Sequence, residues 1–189
     1  MIKTLIFSRL KVIFSLFTIC ILACSCATNT IDPNMPAVNK TGEAFVRVNK
    51  LMIKNDVELV KAYAKRHKWD IKETESGLWY EIYQEGKGQK ILNGELVTIK
   101  YQLELLDGTL CYSSDSLGIK QILAGAGKVE NGLDEGLLLM HNGDKARLIM
   151  PPHLAYGLSG DQKCIPPRSI IVYVVEVIKV EDKSKNSNN

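Results

Sequence analysis

The sequence predicts an α+β fold: a curved antiparallel β-sheet wrapped around one short α-helix, preceded by a short helical segment. Three observations carry this expectation. Beyond Ser76 the apolar residues recur with a period of two, one brief stretch after Asn131 has helical spacing instead, and that stretch falls between strands. Strands that must bury one face against a lone helix curve about it.

Taken in order, the chain begins with Lys3, Arg9 and Lys11, followed by the apolar run Val12 to Ala23. That run is too short to favour a spanning helix and has the basic flank of a secretory signal, so residues 1–23 are expected to be a signal peptide. Ile21-Leu22-Ala23-Cys24 looks like a bacterial lipobox, in which the cysteine becomes the acylated first residue, and Cys26 after Ser25 offers a second register. Two or three acyl chains hold a protein firmly on a membrane where one chain does not. The expectation is a lipoprotein of the bacterial cell envelope, anchored to a periplasm-facing membrane, with the outer membrane preferred. Residues 24–40, where Pro33 and Pro36 stand among Asn29, Asp32 and Asn34, read as a flexible tether.

Residues 41–75 read as helical, with Phe45, Val48, Leu51 and Met52 on one stripe and Val57, Val60, Tyr63 and Ala64 on another. Asn55-Asp56 between the stripes is a candidate cap, which gives two short helices or one bent helix beside the main domain. Leu78, Tyr80 and Ile82 then alternate with Trp79, Glu81 and Tyr83 ahead of a Gly86-Lys87-Gly88 turn. The clearest strand sets Val97, Ile99, Tyr101, Leu103 and Leu105 against Thr98, Lys100, Gln102 and Glu104, and Asp107-Gly108 marks a hairpin after it. Asn131 is a candidate helix cap with Asp134 three residues on, while Leu133, Leu137 and Met140 face inward. Asn142-Gly143 closes that helix. Lys145 to Met150 and Ile170 to Val180 are expected strands, and the second is apolar on both faces, which places it centrally. The main domain is therefore 76–182, and the polar tail 183–189 is expected to be disordered.

Composition excludes several function classes. Lys+Arg number 24 against Asp+Glu 21, a formal net charge of +3 spread along the chain, so no nucleic-acid partner is implied. Gly125-Ala126-Gly127-Lys128 hints at a phosphate loop, but Ile122 stands where its first glycine is required and Val129 replaces the Ser or Thr. His67, His141 and His153 lack metal-ligand spacing, no serine lies in a nucleophile elbow, and neither metal nor cofactor is expected.

The segment from about Ser76 to Asp182 resembles the FKBP-type peptidyl-prolyl cis-trans isomerases. The resemblance rests on Val97-Thr98-Ile99-Lys100-Tyr101 leading to Leu106-Asp107-Gly108-Thr109, then Gly132-Leu133-Asp134-Glu135-Gly136 and Asn142-Gly143-Asp144-Lys145-Ala146-Arg147. It continues in Pro152-His153-Leu154-Ala155-Tyr156-Gly157 and Ile165-Pro166-Pro167. The helical segment and lipobox look like those of family members that are lipoproteins of Bacteroides-like bacteria. The resemblance implies proline-containing polypeptides as substrates and macrolides as inhibitors. Tyr101, Leu133, Tyr156 and Tyr173 fall on the positions that carry the isomerase pocket, Tyr156 offering its hydroxyl to a substrate carbonyl. Ile122 and Val129 fall on its lining, the Glu130 N–H on a ligand-binding position, and Ile165 in the loop over the pocket.

This sequence departs from the family at several of these places. Cys111 and Tyr112 stand where a phenylalanine and an aspartate are usual, Leu133 where the floor is commonly tryptophan, and Asp161 and Cys164 where histidine and isoleucine are frequent. The pocket thereby loses aromatic wall and a carboxylate, which implies weakened isomerase activity in the folding of exported proteins. The alternative is a non-catalytic chaperone or binding subunit of an envelope assembly that kept the fold. The resemblance also puts Cys111 and Cys164 at the same pocket mouth, where a disulfide between them would tie the covering loop to the wall; the sequence leaves their pairing open.

Overall fold

A computed structural model describes residues 40–182. The expected signal peptide, the tether up to residue 39, the lipidation cysteines Cys24 and Cys26, and the polar tail lie outside the described residues. The chain divides into units 1–43 and 44–189, and all that follows concerns the larger one except the first residues of its leading helix.

That helix, α1, runs unbroken over Lys40–His67. The expected break at Asn55-Asp56 is absent, and the Asp56 carboxylate caps no turn but accepts from the Arg168 guanidinium at 3.0 and 3.3 Å. Asp56 is buried in this pairing. The two apolar stripes have different fates. Val57, Val60 and Tyr63 pack with Trp79, Ile149, Ile170 and Val172, whereas Phe45, Val48, Leu51 and Met52 remain exposed.

Seven strands form one antiparallel sheet: β1 Lys72–Glu73, β2 Trp79–Gln84, β3 Leu96–Leu105, β4 Leu110–Ser113, β5 Lys120–Leu123, β6 Lys145–Met150 and β7 Ile171–Glu181. Their order is β1-β2-β6-β7-β3-β4, with β5 also paired to β3. The twice-apolar last strand is central, between β6 and β3, as its pattern requires. Its Ile171, Tyr173, Val175 and Val177 enter the main core on one face, and Val172 meets α1 on the other. Strands β1, β4 and β5 were not legible as strands, since two to four residues are too few to show a period.

Register shifts between Thr98 and Ile99, Ile82 and Gln84, and Leu103 and Glu104 interrupt the pairing as bulges do, and the short helix α3 spans Asn131–Leu138. A further turn of helix, α2 Ser114–Leu117, links β4 to β5. Leu133 and Leu137 of α3 and Met140 beyond it are fully buried, as their spacing predicts. Gly132 and Gly136 let α3 approach β6: a Cβ at Gly136 would lie 2.6 Å from Leu148 Cδ1, and one at Gly132 would lie 2.8 Å from Met150 Cγ.

The helix start differs from expectation. Glu130, not Asn131, is the N-cap residue, and its carbonyl accepts from the N–H groups of Leu133 and Asp134. The Asp134 carboxylate is engaged elsewhere, accepting from Gly125 N–H at 2.7 Å and Gly127 N–H at 2.8 Å. It thus straps the 124–129 loop to α3, which is the structural work of the glycines that imitated a phosphate loop. The helix stops at Leu138, and Asn142-Gly143 forms the following turn, with Gly143 at φ +92.

Candidate active site

The concave face of the sheet and α3 enclose a cluster that contains Tyr101 from β3, Ile122 from β5, Leu133 from α3, Ile165 from a loop and Tyr173 from β7. Cys111, Tyr112, Val129 and Tyr156 pack against it while half-buried. Four separate elements therefore bring Tyr101, Leu133, Tyr156 and Tyr173 into one cluster, the hollow of the candidate site. The Tyr101 and Tyr173 rings lie 5.9 Å apart between centroids in a tilted pair. The Tyr101 backbone is pinned by Ser114, whose Oγ accepts from its N–H at 3.2 Å.

One carboxylate organises the polar side of this hollow. Glu130 Oε1 accepts a hydrogen bond from the Tyr156 hydroxyl and a second, at 3.0 Å, from the Tyr173 hydroxyl. Lys120 stands opposite, its Nζ donating to Tyr173 Oη at 3.4 Å and lying 4.5 Å from the Tyr101 ring centroid. Burial, then the hydrogen bond to Glu130, pushes the Tyr156 hydroxyl well above the ordinary tyrosine pKa; burial and the Glu130 charge do the same to Tyr173. Both therefore remain protonated donors at physiological pH. Tyr101 is raised for the same two reasons.

The loop over the hollow is fastened at two points to β4. Cys164 is disulfide-bonded to Cys111, with their Cα atoms 5.5 Å apart. The Tyr112 hydroxyl also donates to Asp161 Oδ2. The other oxygen of Asp161 accepts from the N–H groups of Lys163 at 2.9 Å and Ile165 at 2.8 Å, so one side chain shapes the loop and anchors it. Burial raises the Asp161 pKa, but the bonds from Tyr112 and these amides outweigh that and hold it below the usual carboxylate range. Gly160, at φ +65, makes the turn; a Cβ there would sit 2.2 Å from the Ile165 carbonyl oxygen. The carboxylate that is missing at Tyr112 is thus present on the facing loop, with the tyrosine bonded to it.

Sequence reasoning considered only the backbone of Glu130 and passed over Lys120 and the side chain of Asp161. A signal for Glu130 existed: it precedes the buried Leu133 by three residues and Leu137 by seven, so helical spacing puts it on the inward stripe. Lys120 gave no signal, because β5 was too short to read.

What such a hollow can do follows from its walls. It offers no nucleophile activated by a base; among the described residues, no group of three His, Cys, Asp or Glu is arranged to hold a metal ion. Its walls are apolar and aromatic, with the Tyr156 hydroxyl beside them. An X-Pro peptide bond resists rotation by about 18–20 kcal/mol through amide resonance, and its twisted form is less polar than its planar form. A dry slot that holds the twisted amide more tightly speeds rotation, each ~1.4 kcal/mol of preference giving a factor of ten.

Comparison with known proteins gives the same reading. A family model described as FKBP-type peptidyl-prolyl cis-trans isomerase matches residues 87–178. The chain is 37% identical over 107 residues to FK506-binding protein 2 of Yarrowia lipolytica, covering 56% of this chain and 74% of that one. It is 36% identical over 116 residues to a probable FKBP-type peptidyl-prolyl cis-trans isomerase of Haemophilus influenzae, covering 61% of this chain and about half, 48%, of that one. The fold superposes on the crystal structure of FkpA from Escherichia coli with a TM-score of 0.60 and 29% identity, covering 75% of this chain and 66% of that one. With the fold, the hollow and these relatives in agreement, the chain belongs to the FKBP-type peptidyl-prolyl cis-trans isomerase family.

Proposed function

We propose that this chain catalyses cis-trans isomerisation of X-Pro bonds in exported polypeptides, at a reduced rate, while held in the bacterial envelope by a lipid on Cys24 or Cys26. The observation that supports catalysis is the convergence of Tyr101, Leu133, Tyr156 and Tyr173 on one apolar hollow with a protonated hydroxyl at its side. Tyr101, Leu133 and Tyr173 would wall the prolyl ring, with Ile122, Val129 and Ile165 completing the slot. Tyr156 would donate to a substrate carbonyl, and macrolides that imitate the twisted amide would compete. Reduced rate is supported by the Leu133 floor and by Tyr156 being engaged with Glu130. The envelope setting is supported by the lipobox and by a disulfide, a bond that persists in oxidising compartments.

A second reading has one specific observation in its favour. Cys111–Cys164 and Tyr112–Asp161 fasten the covering loop, which suits a module that grips a partner without turning it over. A protease-coupled prolyl isomerisation assay decides between the two. Acceleration by the purified protein, reduced in Tyr156→Phe, supports the enzyme; no acceleration by the wild type or by Tyr112→Asp supports the binding module.

A further inference from the structure

The isomerase reading uses only the backbone N–H of Glu130, yet its carboxylate is the hub of the hollow. It accepts from Tyr156 and Tyr173 and, among the described residues, forms none of the ion pairs. Asp161, near enough to raise the Tyr156 pKa, likewise forms none of the ion pairs among the described residues. Lys120 donates to Tyr173 Oη at 3.4 Å, the same hydroxyl that donates to Glu130. The polar side of the hollow thus brings together the Glu130 and Asp161 carboxylates, held by hydroxyls and amides, and the Lys120 ammonium.

A carboxylate at this place has a consequence for the substrate. Any peptide carbonyl that takes the Tyr156 hydroxyl must first displace Glu130 from it, exchanging a charge-assisted hydrogen bond for a neutral one. Charge-assisted bonds are roughly twice as strong, so a neutral peptide pays a penalty. The displaced carboxylate then needs a partner within a residue or so of the bound proline. A lysine or arginine beside the proline supplies one, while a glutamate there adds repulsion.

We infer that Glu130 is a specificity-determining residue that selects prolyl segments carrying a basic residue next to the proline. The inference rests on the isomerase reading of the same hollow. Binding a cation at Glu130 also frees the Tyr156 donor, so discrimination enters both affinity and rate.

The test uses the purified protein with tetrapeptides Ala-X-Pro-Phe in which X is Lys, Leu or Glu. Both kcat/KM by NMR exchange and Kd by titration are measured for the wild type, Glu130→Gln and Glu130→Lys. Folding of each variant is checked by circular dichroism. The wild type should favour the Lys over the Leu peptide by about five- to tenfold, with Glu poorest, in line with a partly buried ion pair. Glu130→Gln should bring the three together and raise turnover of the Leu peptide, and Glu130→Lys should invert the order. Equal Lys and Leu values in the wild type, or a ratio unmoved in Glu130→Gln, would overturn the inference. Absence of turnover with every peptide would refute the isomerase reading, and the Kd order would still decide the role of Glu130.

Discussion

At the scale of single residues, the hollow is an arrangement of tyrosine hydroxyls around one carboxylate. Tyr156 and Tyr173 hold their protons more tightly in the native chain than in the unfolded one. Their contribution to stability is therefore complete below the unfolded tyrosine value of about 10 and is lost as pH rises through and beyond it. Urea unfolding followed from pH 8 to 11 should show stability falling above pH 10, and less steeply in Tyr156→Phe. The Asp56–Arg168 pair is a second residue-scale feature. Asp56 is nearly out of solvent, so Asp56→Ala leaves a guanidinium without its partner and should cost about 1–3 kcal/mol by urea denaturation, less than a fully buried pair because Arg168 is partly hydrated. Neither feature was evident in the sequence. Asp56 sits 112 residues from Arg168, and no local pattern reports so distant a partner.

The elements divide into those with a period and those without. Strands β2, β3, β6 and β7 and helix α3 are long enough to display alternation or a helical stripe; each strand stands within a residue or two of where the sequence places it, while α3 ends at Leu138, short of the expected stop at Asn142-Gly143. The loop from Gly160 to Pro167 has no period, and its conformation is set by side chains: the disulfide, the Tyr112–Asp161 bond and the amides held by Asp161. Joining Cys111 to Cys164 restricts the unfolded chain across a separation of 53 residues. The Cys111→Ser/Cys164→Ser double variant should lose about 2–4 kcal/mol in denaturant unfolding. Amides of 161–165 should exchange with deuterium faster in that variant while those of β7 keep their order of protection. For α1 the stripes were legible but not their burial. Covering Val57, Val60 and Tyr63 depends on Trp79, Ile149 and Val172, residues that lie on strands far along the chain.

At the scale of the whole molecule, the sheet has two apolar faces with separate tasks. The concave face closes on α3 and makes the hollow; the other carries the second half of α1. A final strand apolar on both sides forces this two-sided burial, which is why the architecture could be read from the sequence while the wiring of the site could not. Hydroxyl and carboxylate directions depend on tertiary geometry, and the inward turn of Glu130 altered the chemistry expected of Tyr156.

If the hollow catalyses isomerisation, it stabilises a twisted prolyl amide. Two-dimensional NMR exchange spectroscopy of a prolyl tetrapeptide with substoichiometric protein measures that directly. The cis and trans resonances should interconvert faster in proportion to protein concentration, with shifts at the amides of Ile122, Leu133 and Ile165. Exchange that stays at the uncatalysed rate of tens to hundreds of seconds, with the protein folded and the peptide in contact with it, would contradict the account.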